Sequence, residues 1–126
     1  MAIPRLPDAE LDIMKIIWTS DGETTSAYIM EKLEGKKDWA VTTVLNFLAR
    51  LVDRGFLTSR RSGKTNIYTP VIGETEYLES ESKSFLERLH GNSITSLVVS
   101  LYGGKAISNE DLEELRRYID EKAGDA

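Results

Sequence analysis

The spacing of apolar residues changes near Gly55, and this change limits the possible folds more than any other feature. Before Gly55, apolar side chains recur every three or four residues in three separate stretches, as in amphipathic helices with one buried face. After it come two short runs rich in β-branched and aromatic residues, at 56–61 and 66–71, separated by the turn sequence Ser62-Gly63-Lys64. The pattern predicts three short helices followed by a β-hairpin.

The ends of the three helices are marked by capping and breaking residues. Asp8 is the expected N-cap of the first helix, and the hydroxyl residues Thr24-Thr25-Ser26 open the second. Gly35 and Gly55 end the second and third helices. Three helices followed by a hairpin is the order of a winged helix-turn-helix domain, with the second and third helices as the pair and the hairpin as the wing. We assign this domain to residues 1–72.

Residues 73–126 have a helical pattern again, and we assign them to a dimerisation domain. The last helix opens with a variant capping box, Ser108 to Asp111. The apolar stripes exceed what three short helices can bury alone, so the predicted fold is mainly α, a winged helix followed by a helical dimerisation region. The expected dimer-interface residues are Leu78, Phe85, Leu89, Leu97, Val98, Leu101, Leu112, Leu115 and Ile119.

Charge is distributed unevenly along a chain whose net charge is −5. Residues 36–72 carry seven basic and two acidic side chains, a local net charge of +5. Phosphate contacts depend on the local field, so an acidic protein with a basic segment can still bind DNA. An ordinary solvated basic face is the alternative.

The composition argues against metal and covalent chemistry. There is no cysteine and a single histidine, His90, and the glycines form no phosphate-binding loop. We therefore expect neither a metal nor a cofactor, and no enzymatic activity. The N-terminus lacks the apolar core of a signal peptide and no apolar run could span a bilayer, so we expect a cytoplasmic protein that does not insert into membranes.

Several segments, taken in order, resemble the penicillinase-repressor family, also called the BlaI/MecI/CopY family. They are AELDIMKIIW at 9–18, KDWAVTTV at 37–44, LARL at 48–51, RGFL at 54–57, IYTP at 67–70, TSLV at 95–98 and LEEL at 112–115. The resemblance covers nearly the whole chain. It is closer to the BlaI/MecI branch, because the copper-responsive branch carries a C-terminal cysteine motif that this chain lacks.

The resemblance implies a homodimeric transcriptional repressor that binds inverted-repeat operator DNA and controls β-lactam resistance or related genes. In the β-lactam-responsive members, a membrane sensor-protease cuts an Asn-Phe bond in the C-terminal region. Ser100-Leu101 occupies the aligned position here. The segment around Ser100-Leu101 is then either a cleavage site or a part of the dimer core that is never cut.

On the third helix, Thr42, Thr43 and Asn46 lie off the apolar stripe and are the expected base-reading residues. An asparagine amide can pair with adenine, and a threonine methyl can contact a thymine methyl. Arg50, further along, is expected to contact a phosphate or form an intramolecular pair. An ordinary solvated face is the alternative for the whole set. Trp39 is expected to pack between the second and third helices.

The wing and the second helix supply the remaining expected contacts. Lys64 lies in the turn, and strand alternation points Arg60 and Arg61 to opposite faces, so one of the two faces DNA. Thr25 and Ser26 are expected to contact a phosphate at the start of the second helix, a role compatible with the alternative that they are simple caps. The alternative function is a winged-helix protein-interaction module without DNA binding.

Overall fold

A computed structural model describes residues 3–20 and 22–124. In chain order the elements are α1 (Asp8–Thr19), β1 (Thr24–Thr25), α2 (Ser26–Leu33), α3 (Val41–Asp53), β2 (Leu57–Ser62), β3 (Thr65–Pro70), α4 (Glu74–His90), α5 (Ile94–Gly103) and α6 (Asn109–Gly124). The chain divides into two compact units, residues 1–81 and 82–126. The predicted fold class, a mainly helical chain with a winged helix, is confirmed.

The wing belongs to a three-stranded antiparallel sheet with the strand order β1-β3-β2. Strands β2 and β3 form the predicted hairpin, in which Ser62 pairs with Thr65 across a two-residue turn. Gly63 opens this turn with a φ of 65°, a value that glycine adopts without steric cost. The third strand, β1, was not predicted, because a two-residue strand shows no alternation and pairs with residues far along the chain.

The core of unit 1 is formed by apolar side chains of α1, α2 and α3 and by the first residues after α3. Its fully buried apolar side chains include Ile13, Met14, Ile17, Ile29, Val44, Leu48, Leu51, Phe56 and Leu57. Burying one such side chain contributes about 1.5–3 kcal/mol. Helix α3 packs Val44, Leu48 and Leu51 against the other core residues. Its opposite face is therefore left for solvent or a ligand.

Tyr77 attaches the first turns of α4 to unit 1. Its side chain is 3% exposed, and its hydroxyl accepts a hydrogen bond from the Leu6 amide at 2.9 Å. Its ring lies 5.8 Å from the ring of Trp18 and 5.9 Å from that of Phe56. The compact unit therefore extends beyond residue 72, whereas the functional boundary assigned there stays a prediction.

The predicted caps are correct at two helices and wrong at one. The Thr25 hydroxyl caps α2, and Ser108 and Asp111 exchange the two hydrogen bonds of a capping box, at 2.8 and 3.1 Å. At α1 the N-cap is Pro7, and Asp8 is the first helical residue. The carboxylate of Asp8 thus lies in the first turn, where the helix dipole favours a negative charge.

Unit 2 contains the second half of α4 together with α5 and α6. Ser93 caps α5 by accepting a hydrogen bond from the Ser96 amide at 3.0 Å. In α5 and α6, which the structure describes in full, no residue is buried within the single chain. Among all the described helices, none has the length and apolar character needed to cross a membrane.

A buried carboxylate joins α1 to the end of α3. Glu10 is 1% exposed, and one of its carboxylate oxygens accepts a hydrogen bond from Arg54 Nη1 at 2.5 Å. Arg54 is the C-cap residue of α3, and its side chain is 40% exposed. The pair therefore fixes the end of α3 relative to α1.

We predict that Arg54→Ala lowers the free energy of unfolding by about 3 kcal/mol, because it leaves the Glu10 carboxylate buried without its partner. The matched control is Arg60→Ala, which removes an exposed pair with Glu23 and should cost about 1 kcal/mol or less. Urea denaturation followed by circular dichroism at one fixed protein concentration measures both values.

Adding Glu10→Gln to the Arg54→Ala variant should recover part of the loss, because a buried neutral amide costs less than an unpaired carboxylate. Equal losses for Arg54→Ala and Arg60→Ala would contradict this role for the buried pair.

Candidate nucleic-acid interface

The face of α3 opposite the core is polar and accessible. Thr42, Asn46 and Arg50 follow one another at intervals of four residues and are all exposed, whereas Thr43 beside them is half-buried. Residues four apart on a helix are neighbours on one face. The structure therefore brings together the four α3 residues predicted from the sequence, and we call them the polar face of α3.

The N-terminal end of α3 is electrostatically favourable for an anion. Ala40 precedes the helix and offers no side-chain acceptor to the amides of the first turn. The positive end of the helix dipole therefore coincides with Thr42 and Thr43. This arrangement suits a phosphate or an electronegative base edge near the start of α3.

A series of basic and aromatic side chains leads from Lys37 to Arg50 of the polar face. The ammonium group of Lys37 lies 5.6 Å from the ring centroid of Trp39, and this ring lies 5.3 Å from that of Phe47 in an edge-on contact. The guanidinium of Arg50 lies 5.9 Å from the Phe47 centroid. Trp39 is partly buried against the core, and Arg50 of the polar face ends the series.

The roles of Lys37 and Phe47 were not predicted from the sequence. Phe47 lies three residues before Arg50, a spacing that brings the two side chains together on a helix and could have indicated their contact. Lys37 also forms an ion pair with Asp12 of α1, at 3.6 Å. The position of Lys37 depends on how the loop between α2 and α3 folds. Local periodicity in the sequence gives no information on the conformation of this loop.

The structure separates the three basic residues of the wing. Arg60 pairs with the Glu23 carboxylate at 3.0 Å, next to β1. Arg61 donates from Nε to the Gly63 carbonyl at 3.3 Å and so stays close to the turn. Lys64 is exposed in the turn itself. The tip of the wing thus presents Arg61 and Lys64, while the charge of Arg60 is offset locally.

At the start of α2, Thr25 and Ser26 are half-buried. The Thr25 oxygen accepts a hydrogen bond from the Tyr28 amide at 3.2 Å, so the capping role is present. A phosphate contact by these two residues stays a prediction. Across the described ranges, the His, Asp and Glu side chains form no cluster of three that could hold a metal ion.

The protein has three short helices, a wing formed by the β2–β3 hairpin and an exposed polar face on α3. These features define a winged-helix protein with the architecture of DNA-binding domains. The family model described as penicillinase repressor matches residues 6–121. The chain belongs to the penicillinase-repressor family, which is made up of transcriptional repressors.

Two curated relatives align over nearly their whole length. The penicillinase repressor of Bacillus licheniformis is 34% identical over 119 residues, which cover 94% of this chain and 92% of that protein. The methicillin resistance regulatory protein MecI of Staphylococcus aureus strain N315 is 26% identical over 117 residues, covering 93% and 94% respectively.

Two solved structures resemble the winged-helix part of the chain. The solution structure of the DNA-binding domain of the repressor BlaI has 33% identity and a TM-score of 0.53, covering 61% of this chain and 94% of that domain. The monomeric form of Bacillus licheniformis BlaI, solved in complex with the blaP half-operator, has 33% identity and a TM-score of 0.51, covering 60% and 90%.

We predict that Asn46→Ala and Lys64→Ala weaken DNA binding in different ways. A base-reading amide contributes about 1–3 kcal/mol of discrimination, so Asn46→Ala should lower affinity for the preferred site and reduce the penalty for mismatches. A phosphate contact carries no sequence information, so Lys64→Ala should weaken binding to all duplexes alike.

The wild-type protein first selects its preferred site from a random pool of double-stranded DNA; we call this site the selected duplex. Fluorescence anisotropy then measures the affinity of each protein for the selected duplex and for its single-base variants. Wild-type affinity and specificity in Asn46→Ala would show that the polar face of α3 is not the reading surface.

Proposed function

We propose that this protein represses transcription by binding an inverted-repeat operator as a homodimer, with one winged-helix unit on each half-site. The observation that carries the proposal is the polar face of α3, exposed on a winged helix that resembles a repressor solved with a half-operator. In this proposal, α3 enters the major groove and its first turns meet base edges. The tip of the wing contacts the phosphate backbone.

The charge distribution supports DNA as the partner. The segment with a net charge of +5 contains α3 and the whole wing. Arg50 belongs to the polar face, and Lys64 lies at the wing tip. Since a repressor acts where the chromosome lies, the proposal places the protein in the cytoplasm. The two curated relatives, a penicillinase repressor and a methicillin resistance regulatory protein, favour β-lactam resistance or related genes as the targets.

Unit 2 supports the homodimer. A groove of about 750 Å³ lies between α5 and α6 and is lined mainly by apolar side chains, among them Leu97, Val98, Leu101, Leu115 and Ile119. Soluble monomers rarely expose a large contiguous apolar surface. A second copy of unit 2 would cover these side chains, and dimers of this permanent kind bury about 2,000 Å² or more.

Two routes for release from DNA follow from the position of Ser100-Leu101. In the structure this pair lies within α5, where the Ser100 carbonyl accepts a hydrogen bond from the Gly104 amide at 3.0 Å. A sensor-protease would need α5 to open locally before it could cut there. If the run is instead uncut dimer core, release requires another signal. Mass spectrometry of the protein from β-lactam-treated cells distinguishes the two routes. A shortened chain indicates cleavage, and a full-length chain with the target genes switched on indicates another signal.

We predict salt-dependent, sequence-specific DNA binding. The selected duplex should bind more tightly than a scrambled duplex of the same length. Its affinity should fall by about 10³-fold or more between 50 and 200 mM salt if about six phosphates are neutralised. Anisotropy titrations of both duplexes at several salt concentrations provide the test. Equal, weak binding to both duplexes would favour the protein-interaction module instead.

We predict that Ile119→Glu weakens the dimer. Ile119 lines the groove of unit 2, so the variant places an unpaired carboxylate in the proposed interface. An uncompensated buried charge costs about 3–5 kcal/mol, which corresponds to a rise of at least about 100-fold in the dimer dissociation constant. The matched control is Val71→Glu, at an exposed position of unit 1.

Sedimentation velocity at micromolar concentrations measures the dissociation constants of both variants and of the wild type. A folded wild-type monomer under these conditions would overturn the proposed dimer.

A further inference from the structure

Two large apolar side chains lie exposed on α3, beside its polar face. Val41 is 50% exposed and Leu45 is 38% exposed. They are four residues apart, so they are neighbours on successive turns, and Leu45 is also three residues from Thr42. We call Val41 and Leu45 the apolar strip of α3. The core face of the helix is already supplied by Val44, Leu48 and Leu51.

We propose that the apolar strip reads the C5-methyl groups of thymines in the major groove, so that Leu45 and Val41 determine specificity at thymine positions that Thr42 and Asn46 do not contact. This inference rests on the proposed function. Thymine is the base that presents an apolar group at the major-groove edge, and apolar side chains recognise it by contact. Uracil presents the same hydrogen-bonding groups without the methyl.

The position of the strip favours DNA over a protein partner. Val41 is the first residue of α3, where the helix has its dipole-positive end, and the strip adjoins the predicted base-reading residues. It lies in the chain segment with a net charge of +5. Two side chains also provide far less area than the roughly 800 Å² per partner of a stable protein interface.

Leu45 and Asn46 would act on the DNA by different chemistry. The Asn46 amide can donate and accept hydrogen bonds and so reads polar groups. Leu45 offers neither a donor nor an acceptor, so its contribution depends only on the apolar surface that it covers. Removing the base methyl and shortening the side chain should therefore affect the same contact, and their effects should not add.

The test is a double-mutant cycle that combines a substitution in the protein with a base replacement in the selected duplex. Each thymine is replaced in turn by deoxyuridine, and affinities are measured for wild type, Leu45→Ala, Val41→Ala and the control Val71→Ala, an exposed valine outside α3. Thermal unfolding verifies that all variants are folded, which their exposed positions favour.

For the wild type, deoxyuridine at one or two positions in each half-site should lower affinity about fourfold, the effect of losing one methyl-sized apolar contact. At each sensitive thymine, either Leu45→Ala or Val41→Ala should abolish the affinity loss that deoxyuridine causes. In Val71→Ala the same affinity loss should remain. Binding to a scrambled duplex should be the same for all four proteins.

Other outcomes overturn the inference in distinguishable ways. Uniform tolerance of deoxyuridine in a protein that still prefers its selected duplex overturns the thymine contact and leaves the proposed function intact. A selection that yields no preferred duplex overturns both. If Leu45→Ala dissociates the dimer in sedimentation experiments, the strip is a contact between copies of the chain and the inference is wrong.

Discussion

The ion pair between Glu10 and Arg54 ties the position of α3 to the rest of the winged helix. A carboxylate that is 1% exposed needs a partner, and Arg54 at the C-cap of α3 supplies it. The carboxylate therefore constrains where α3 ends relative to α1. The apolar contacts of Val44, Leu48 and Leu51 fix which side of α3 faces inward. Together they decide which α3 residues a DNA groove can meet.

The polar face of α3 follows from this constraint. Once the core face is fixed, Thr42, Asn46 and Arg50 must point away from it, since they lie on the opposite side of the helix. Phe47 lies between the two faces, and the Arg50 guanidinium lies 5.9 Å from the centroid of its ring. The proposed DNA contacts are thus placed by packing, and their chemistry is set by the side chains that packing leaves exposed.

The two units use apolar surface in opposite ways. Unit 1 buries its own core and includes the first turns of α4 through Tyr77, whose hydroxyl and ring contact Leu6, Trp18 and Phe56. Helices α5 and α6 of unit 2 contain no buried residue within the single chain. An amphipathic helix gains most of its stability from burying its apolar face. This difference is the physical basis for proposing a dimer through unit 2 and DNA binding through unit 1.

The sequence alone determined the helices, the hairpin and the four polar residues of α3, because each depends on local periodicity and on turn-forming residues. Tertiary structure decided what depends on residues distant in the chain. It paired β1 with β3, joined Glu10 to Arg54 and separated Arg60, held by Glu23, from Arg61 at the turn. Local periodicity identifies the face of a helix, but the partner of a buried carboxylate or an exposed arginine is set only when distant segments pack together.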